Sequence, residues 1–284
     1  MNKKLLIIII SLFGSIVFAK ETENHSILIY GHNQLDGYDD NETDKTVEQI
    51  LYSSFDIEAY KSNYLLPVTY DGVDHVGRKN IETKFQISFK KSIFDNLFGL
   101  DENIYMAYTQ TSWWQTTAES SPFREINYEP KIFIDLPFSY MQSPLKLYSV
   151  GIVHESNGRL MESRSWNRAY VSAIFQYYGI FIEPEIWHRF SENEKVSLND
   201  THGDDNPDIL DYLGHGQLEI SYPYKKYVFS TTFKKESLQF DCTFSILGYK
   251  DLFGYLQYFK GYGESLIDYN EKVEKIGIGF AISN

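Results

Sequence analysis

The chain lacks the features on which several protein classes depend. Its single cysteine, Cys242, excludes an internal disulfide. Beyond residue 19 no apolar run approaches the roughly 18 residues that a membrane-spanning helix needs, which excludes a helical membrane protein. Lys and Arg number 26 against 39 Asp and Glu. Because nucleic-acid phosphates are bound by clustered cations, this shortage argues against a nucleic-acid partner.

The first 19 residues have the pattern of a removable secretory signal. Lys3 and Lys4 are followed by an apolar stretch from Leu5 to Phe18 and then by the small residue Ala19. We therefore predict that residues 1–19 are cleaved on export. Residues 20–58 contain an acidic, loop-like stretch at 36–44 and are predicted to form an N-terminal segment outside the main fold.

Aromatic residues are abundant, with 23 Tyr and 20 Phe. After residue 60, apolar and polar residues alternate with period 2, as around Phe85, Ile87 and Phe89. This alternation predicts β-strands that have one apolar and one polar face. We predict twelve strands, near residues 61–70, 82–94, 102–114, 127–138, 145–157, 165–178, 179–190, 214–224, 226–236, 237–248, 251–262 and 272–283.

Two architectures satisfy this alternation: a soluble sandwich with its apolar faces inside, and a membrane barrel with its apolar face toward lipid. The secretory signal, strands of about ten residues and an even strand count favour the barrel. We predict an all-β fold, a twelve-stranded antiparallel transmembrane β-barrel at residues 59–284, in the outer membrane of a Gram-negative bacterium. Aromatic residues at strand ends are predicted to form interfacial girdles: Trp113, Trp114, Trp166, Tyr177, Tyr178 and Trp187.

The strands near 145–157 and 165–178 carry the candidate active site. His154 and Ser156 share a strand face with Val150 and Ile152, because residues i and i+2 point the same way. If the hairpin pairs His154 with Asn167, the apolar faces of both strands coincide. This register places His154, Ser156 and Asn167 together on the outside of the barrel wall, near one membrane interface.

These three residue types are the parts of a nucleophilic hydrolase: Ser156 as nucleophile, His154 as base and Asn167 as the group that orients the imidazole. A polar trio against lipid is costly unless its substrate comes from the lipid, so the location predicts cleavage of phospholipid acyl esters. A His-x-Ser pair is also common without any function. The alternative is therefore a non-catalytic barrel acting as a pore or adhesin, which has no reason to place such a trio against lipid.

Several blocks of sequence together identify a family. His-Glu-Ser-Asn-Gly at 154–158 and Ser-Arg-Ser-Trp-Asn-Arg at 163–168 stand with further blocks at 108–110, 112–115, 120–125, 127–130, 204–208 and 261–270. Over roughly residues 60–283 the chain resembles the bacterial outer-membrane phospholipase A family. The resemblance implies hydrolysis of phospholipid acyl esters at the A1 and A2 positions by a calcium-bound homodimer, with Ser156, His154 and Asn167 in the roles given above.

The resemblance also implies where calcium binds. Arg159 would contribute its backbone carbonyl, Ser163 its hydroxyl, and Ser120 a hydroxyl from the second subunit. Calcium accepts such oxygen ligands, and the ion would stabilise the oxyanion formed when Ser156 attacks. Between Gly158 and Ser163 the chain is one residue shorter than the family pattern, and Glu162 stands where an aspartate is usual.

A second acidic stretch, at 204–208, has some features of a calcium loop. Asp204, Asn206 and Asp208 have the alternating spacing, but Ile209 replaces the glycine and no glutamate follows at the twelfth loop position. We expect a solvated loop here. The alternative is a weak calcium contact through Asp205.

Overall fold

The computed structural model describes residues 57–138, 143–195, 203–246 and 252–282, most of which form β-strands. The strands are β1 (Glu58–Ala59), β2 (Asn63–Asp71), β3 (Ile81–Asp95), β4 (Asn103–Trp114), β5 (Phe123–Pro137), β6 (Leu145–Ser156), β7 (Ser165–Tyr177), β8 (Ile180–Arg189), β9 (Gly216–Tyr224), β10 (Tyr227–Lys234), β11 (Ser237–Ser245), β12 (Phe253–Gly261) and β13 (Val273–Ile282). A short helix, α1 (Ile209–Leu213), lies between β8 and β9. The twelve predicted strands correspond to β2–β13. The largest difference is at β5, which begins at Phe123 rather than near residue 127.

Strands β2–β13 form a closed antiparallel sheet. Each strand pairs with its neighbours along the chain, and β2 pairs with both β3 and β13, so the last strand meets the first. Strand β1 adds two residue pairs, Glu58 with Lys90 and Ala59 with Phe89, beside β3. The prediction of a twelve-stranded barrel is confirmed, and closure pairs both edges of the sheet formed by β2–β13.

Residue alternation determines which side chains face outward. Ile152 on β6 is 54% exposed and Ile278 on β13 is 58% exposed, whereas Ser149 and Lys84 are buried inside the barrel. A row of exposed aliphatic residues outside and polar residues inside is the arrangement of a membrane barrel, the reverse of a soluble protein. The predicted lipid-facing and lumen-facing rows are therefore confirmed.

The two ends of the barrel differ in the length of their connections. One end has the connections 72–80, 115–122, 157–164, 190–215, 235–236 and 262–272, and the other has 96–102, 138–144, 178–179, 225–226 and 246–252. Outer-membrane barrels have short periplasmic turns and longer extracellular loops. The first set, which includes the connection after Ser156, therefore marks the extracellular end.

Charged side chains cross the lumen at the extracellular end. Glu264, on the 262–272 connection, accepts hydrogen bonds from Lys84 Nζ, Lys275 Nζ and Trp113 Nε1, each at 2.8 Å. Burial by itself raises the pKa of the Glu264 carboxyl, but the cations of Lys275, Lys84 and Arg124 outweigh burial and hold that pKa well below its usual range. Next to this network lies a cavity of about 260 Å³ whose lining is rich in charged residues.

The prediction that all the strand-end tryptophans face lipid is wrong for three of them. Trp113, Trp166 and Trp187 are buried inside the barrel, and Trp166 packs edge-on against Trp187 with ring centroids 6.2 Å apart. Trp166 and Asn167 are consecutive, so the same alternation that turns Asn167 outward turns Trp166 inward. Trp114, Tyr177 and Tyr178 are exposed on the outside, as predicted.

The chain enters the barrel through residues 57–62. Tyr60 is fully buried, packs against Phe133 with ring centroids 5.3 Å apart, and accepts a hydrogen bond from Lys131 Nζ at 3.1 Å. The predicted signal at 1–19 and the predicted segment 20–58 lie outside the described residues, apart from residues 57–58. In the described part of the chain, no helix has the length and apolar character needed to cross a membrane.

Candidate active site

The hairpin β6–β7 has the register predicted from the sequence. His154 pairs with Asn167, and Ser156 pairs with Ser165, the first residue of β7. All of these side chains project from the outer wall, in line with the exposed residues Val150 and Ile152. The strands therefore bring His154, Ser156 and Asn167 to one patch at the extracellular end of the barrel, where β6 ends.

The imidazole of His154 is oriented by Asn167. Its Nδ1 lies 2.8 Å from Oδ1 of Asn167. Because a carboxamide oxygen only accepts hydrogen bonds, Nδ1 must carry the proton, which leaves Nε2 as the unprotonated nitrogen. This is the tautomer in which a histidine can take a proton from a serine. Among the described residues, Ser156 Oγ has no hydrogen bond to His154.

The turn that follows Ser156 is organised by Asn157, a residue that the sequence analysis missed. The Asn157 side chain is buried; its Oδ1 accepts from the backbone N–H of Arg159 at 3.3 Å and of Arg164 at 3.0 Å, and its Nδ2 donates to the carbonyl of Glu162 at 3.0 Å. Gly158 follows with φ +64°, a conformation that side chains rarely adopt. A single buried amide thus closes the 157–164 turn beside Ser156.

The side chain of Arg159 points back into the barrel and anchors the turn to β5. Its Nε donates to Glu125 Oε2 at 3.1 Å, and its Nη2 donates to the carbonyl of Arg124. The Glu125 carboxylate is fully buried, and its other oxygen accepts from Asn127 Nδ2 and from the backbone N–H of Ile267. The guanidinium thus ties the 157–164 turn to β5.

Ser163 meets the 203–208 loop at the end of the same turn. Its Oγ donates to Asp205 Oδ2 at 2.7 Å, and Asp205 also forms an ion pair with Lys195. The hydroxyl and the carboxylate give two hard oxygen donors at one point, and the backbone carbonyl of Arg159 belongs to the same turn. Calcium prefers such oxygens. In the part of the chain that the structure describes, no group of three or more His, Cys, Asp or Glu side chains is arranged for a metal, so a Zn²⁺-type donor set is not found there.

The prediction of a solvated loop at 204–208 is wrong. Asn206 is fully buried and its Oδ1 accepts from the backbone N–H of Ser165 at 3.0 Å. Asp204 forms an ion pair with Arg189 Nη2 at 2.6 Å. Arg189, at the end of β8, is the cation that draws this acidic loop onto the barrel, because an unpaired buried guanidinium would be costly. The loop therefore supports the site from behind.

Ser120, the third predicted calcium ligand, lies apart from these residues on the 115–122 connection. Its side chain is exposed, and both Ser120 and Ser121 have positive φ, at +58° and +41°. The Ser121 hydroxyl donates to the carbonyl of Thr116 at 3.1 Å, which ties the loop to itself. Ser120 is therefore turned outward, as a ligand supplied to another copy of the chain would be.

The outward residues beside the trio on the two adjoining strands carry no carboxylate, but the carboxylate of Glu192 reaches the trio from beyond the end of β8, where it accepts from Asn167 Nδ2 at 3.0 Å. Tyr128 on β5 pairs with Ser156, and its ring lies 3.1 Å from where a side chain on Gly158 would begin. Ala169 pairs with His188 on β8, whose side chain is also exposed on the outer wall. A charged side chain on the lipid face costs about 2–4 kcal/mol at the bilayer midplane and about 0–1 kcal/mol near the interface. The position of the trio at a strand end keeps this cost low.

Comparison with known proteins matches a region that contains all the strands of the barrel. The family model of phospholipase A1 matches residues 41–282. The chain is 37% identical over 226 residues to a putative phospholipase A1 of Neisseria meningitidis, covering 73% of this chain and 56% of the relative's length. It is 32% identical over 252 residues to phospholipase A1 of Escherichia coli, covering 81% of this chain and 82% of that one.

Solved structures give the same correspondence. Outer membrane phospholipase A from Escherichia coli superposes with a TM-score of 0.73 at 31% identity, covering 81% of this chain and 93% of that one. A dimer of the Salmonella typhi outer membrane phospholipase with bound calcium superposes with a TM-score of 0.72, also at 31% identity and with the same coverage.

Proposed function

We propose, from the premise that the chain belongs to the phospholipase A1 family and is an outer-membrane phospholipase, that it hydrolyses phospholipid acyl esters on its outer wall. The observation that carries this proposal is the placement of His154, Ser156 and Asn167 among lipid-facing residues, with the imidazole already bonded to Asn167 at 2.8 Å. A lipid can reach these residues by lateral diffusion in the membrane, without entering the lumen.

The reaction proceeds in two halves. Ser156 Oγ attacks the ester carbonyl carbon while His154 Nε2 takes the hydroxyl proton, and Asn167 Oδ1 keeps Nδ1–H in place. Collapse of the tetrahedral intermediate breaks the acyl–oxygen bond, and His154 returns the proton to the departing lysophospholipid alkoxide. Water, deprotonated by His154, then attacks the acyl-serine. Collapse of this second intermediate releases the fatty acid while His154 gives the proton to Ser156 Oγ, which restores the enzyme.

Calcium is the cofactor that the donor set fits. Ser163 Oγ and the Arg159 carbonyl of one subunit, with Asp205 beside Ser163, would hold the ion, and Ser120 of a second copy would complete the site. When bound, the ion supplies positive charge that stabilises the oxyanion of the tetrahedral intermediate. The Salmonella relative is a dimer with bound calcium, which supports a homodimer whose assembly controls activity.

The position of the site also suggests its substrate range. It lies at the extracellular end, where a phospholipid in the outer leaflet presents its ester groups at the depth of the interface. The trio lies on an open wall rather than in a closed pocket, so either acyl ester can approach Ser156. We therefore infer hydrolysis at both the A1 and A2 positions.

The test is phospholipid hydrolysis in detergent micelles by the folded full chain and by Ser156→Ala, each with calcium and with a calcium chelator. We expect fatty-acid release by the native chain with calcium, and a loss of about 10⁴-fold or more in the variant. Equal hydrolysis by both proteins would overturn the mechanism and return the barrel to the pore or adhesin class. Analysis of the lysophospholipid products distinguishes the two acyl positions.

A further inference from the structure

We infer that Glu192 is a positioning residue that acts on His154 through Asn167. Nδ2 of Asn167 donates to Glu192 Oε1 at 3.0 Å, while Oδ1 of the same amide is 2.8 Å from His154 Nδ1. The three side chains therefore form a relay from the 190–215 connection to the imidazole. This inference rests on the proposed function, since it assigns a role only if His154 serves as the base.

The contact with Glu192 fixes which way the Asn167 amide faces. An amide can be rotated by half a turn, which exchanges its oxygen and its nitrogen. In the reversed orientation, Oδ1 of Asn167 would face the Glu192 carboxylate and Nδ2 would face the imidazole. Two acceptors would then oppose each other at the glutamate, so a carboxylate there selects the orientation that places Oδ1 against His154 Nδ1.

Glu192 is held in place by the backbone on both sides. Phe190 N–H donates to the Asn167 carbonyl at 2.9 Å, which extends the β7–β8 pairing by one residue pair. On the other side the Asn193 carbonyl accepts from Asp204 N–H at 2.7 Å, and the Glu192 side chain is half-buried. The carboxylate is therefore presented to Asn167 by a segment with little freedom, as preorganisation requires.

The arrangement also supplies negative charge without placing it on the lipid-facing wall. Asn167 is neutral, whereas the third group of many serine hydrolases is a carboxylate that stabilises the imidazolium. Glu192 lies beyond the end of β8 and stabilises the imidazolium through the polarised amide. Other titratable groups on the same outer surface are Tyr128 on β5 and His188 on β8, while Asp205 in the adjoining loop is paired with Lys195.

The first test compares Glu192→Ala, Glu192→Gln and Glu192→Asp with the native enzyme, using kcat/KM per folded barrel, with folding measured by the gel-mobility change on boiling. Gln still accepts from Asn167 but is neutral. We expect a loss of about tenfold for Ala and about threefold for Gln, with Asp between the native enzyme and Ala. Glu194→Gln, an exposed carboxylate two residues away, is the matched control and should be unchanged.

Two further measurements separate this role from a merely structural one. In Glu192→Gln the loss should fall on kcat with KM nearly unchanged, because the relay acts on the base in the chemical step and not on lipid binding. The double variant Asn167→Ala/Glu192→Ala should be no worse than Asn167→Ala alone, because Glu192 acts through that amide. Multiplying losses in the double variant would overturn the inference.

The failure of this inference can be distinguished from failure of the proposed function. If Ser156→Ala is inactive but Glu192→Ala has native kcat/KM, Glu192 has no part in the reaction and the hydrolase mechanism stands. If Ser156→Ala keeps native activity, the proposed function itself is wrong, whatever the Glu192 variants do. A loss in Glu192→Gln that falls on KM with kcat unchanged would exclude a role of Glu192 on His154.

Discussion

The outer and inner faces of strands β6 and β7 carry different chemistry within single residue steps. Outside, His154, Ser156 and Asn167 lie together at the strand ends, and His154 is bonded to Asn167. Inside, Glu155 alternates with them and accepts from Trp166 Nε1 at 3.0 Å and from Arg168 Nη2 at 2.9 Å. The charges of Glu155 and Arg168 thus lie on the lumen side, where they pair with each other, and the reactive groups lie on the side that a lipid can approach, with Glu192 reaching Asn167 from beyond the strand end.

This difference between the two faces predicts opposite effects for two adjacent residues. The largest loss of activity is expected at His154. His154→Ala removes the base, and we expect kcat/KM to fall by about 10⁴-fold with an unchanged free energy of unfolding. Glu155→Gln leaves Arg168 with reduced compensation and should lower stability by about 2 kcal/mol while the folded fraction keeps near-native kcat/KM. Micelle assays and urea unfolding measure the two quantities. If Glu155→Gln lost activity as His154→Ala does, the two faces would not be separable.

Much of this separation is predictable from sequence because alternation with period 2 fixes the face of every strand residue. The register of His154 with Asn167 followed from matching the two apolar rows, and the structure has that register. The same rule places Trp166 inside the barrel. The enrichment of aromatic residues at strand ends points instead to a membrane interface, but an aromatic ring suits an interface and a packed lumen equally well.

The supporting residues were not predictable, because they lie in connections that have no periodicity. Glu192 and Asn206 act through contacts with chain segments distant in sequence, and Asn157 acts through contacts within its own turn. An isolated Asn or Glu in a loop gives no signal for either kind of contact. Arg189 holds the 203–208 loop against the barrel, but the alternation identifies Arg189 only as a residue that faces inward. The sequence pattern therefore predicts the strands of the barrel wall better than the connections that fold against them.

A smaller effect than that of His154 is expected at Asn167. Asn167→Ala leaves the imidazole present but free to rotate and to adopt the other tautomer, so we expect kcat/KM to fall by about 10²-fold. Its inward neighbour offers the matched control: Trp166→Phe loses the hydrogen bond to Glu155 and part of the ring that packs against Trp187, and should retain native kcat/KM in the folded fraction. Native activity in Asn167→Ala would show that the 2.8 Å contact has no part in the reaction.

The proposed calcium site gives a further test of the outer face, because few of its proposed ligands are charged side chains. Ser163→Ala removes one oxygen donor and the partner of Asp205 Oδ2, and we expect the calcium concentration for half-maximal activity to rise about tenfold. Ser165→Ala, whose Oγ is 3.5 Å from the same carboxylate oxygen, should shift it less. Calcium titrations of fatty-acid release measure both. An identical calcium response in Ser163→Ala and the native chain would remove Ser163 from the ligand set.

Substitutions inside the lumen should lower the stability of the barrel and leave catalysis unchanged. The smallest effect on kcat/KM is therefore expected at Glu264. Glu264→Gln deprives Lys84 and Lys275 of a buried counter-charge, and unfolding in lipid vesicles at pH 7 should require about 3 kcal/mol less free energy. Because the folded pKa of Glu264 is depressed, its stabilisation is present above the unfolded value of about 4.3 and is lost as pH falls toward the folded value. The difference between native and variant proteins should therefore shrink below about pH 4.

Glu271→Gln, an exposed carboxylate on the same connection, should change stability by no more than about 0.5 kcal/mol. A loss of kcat/KM in folded Glu264→Gln would mean that the lumen network reaches the outer wall, and the two faces would then have to be treated as one system.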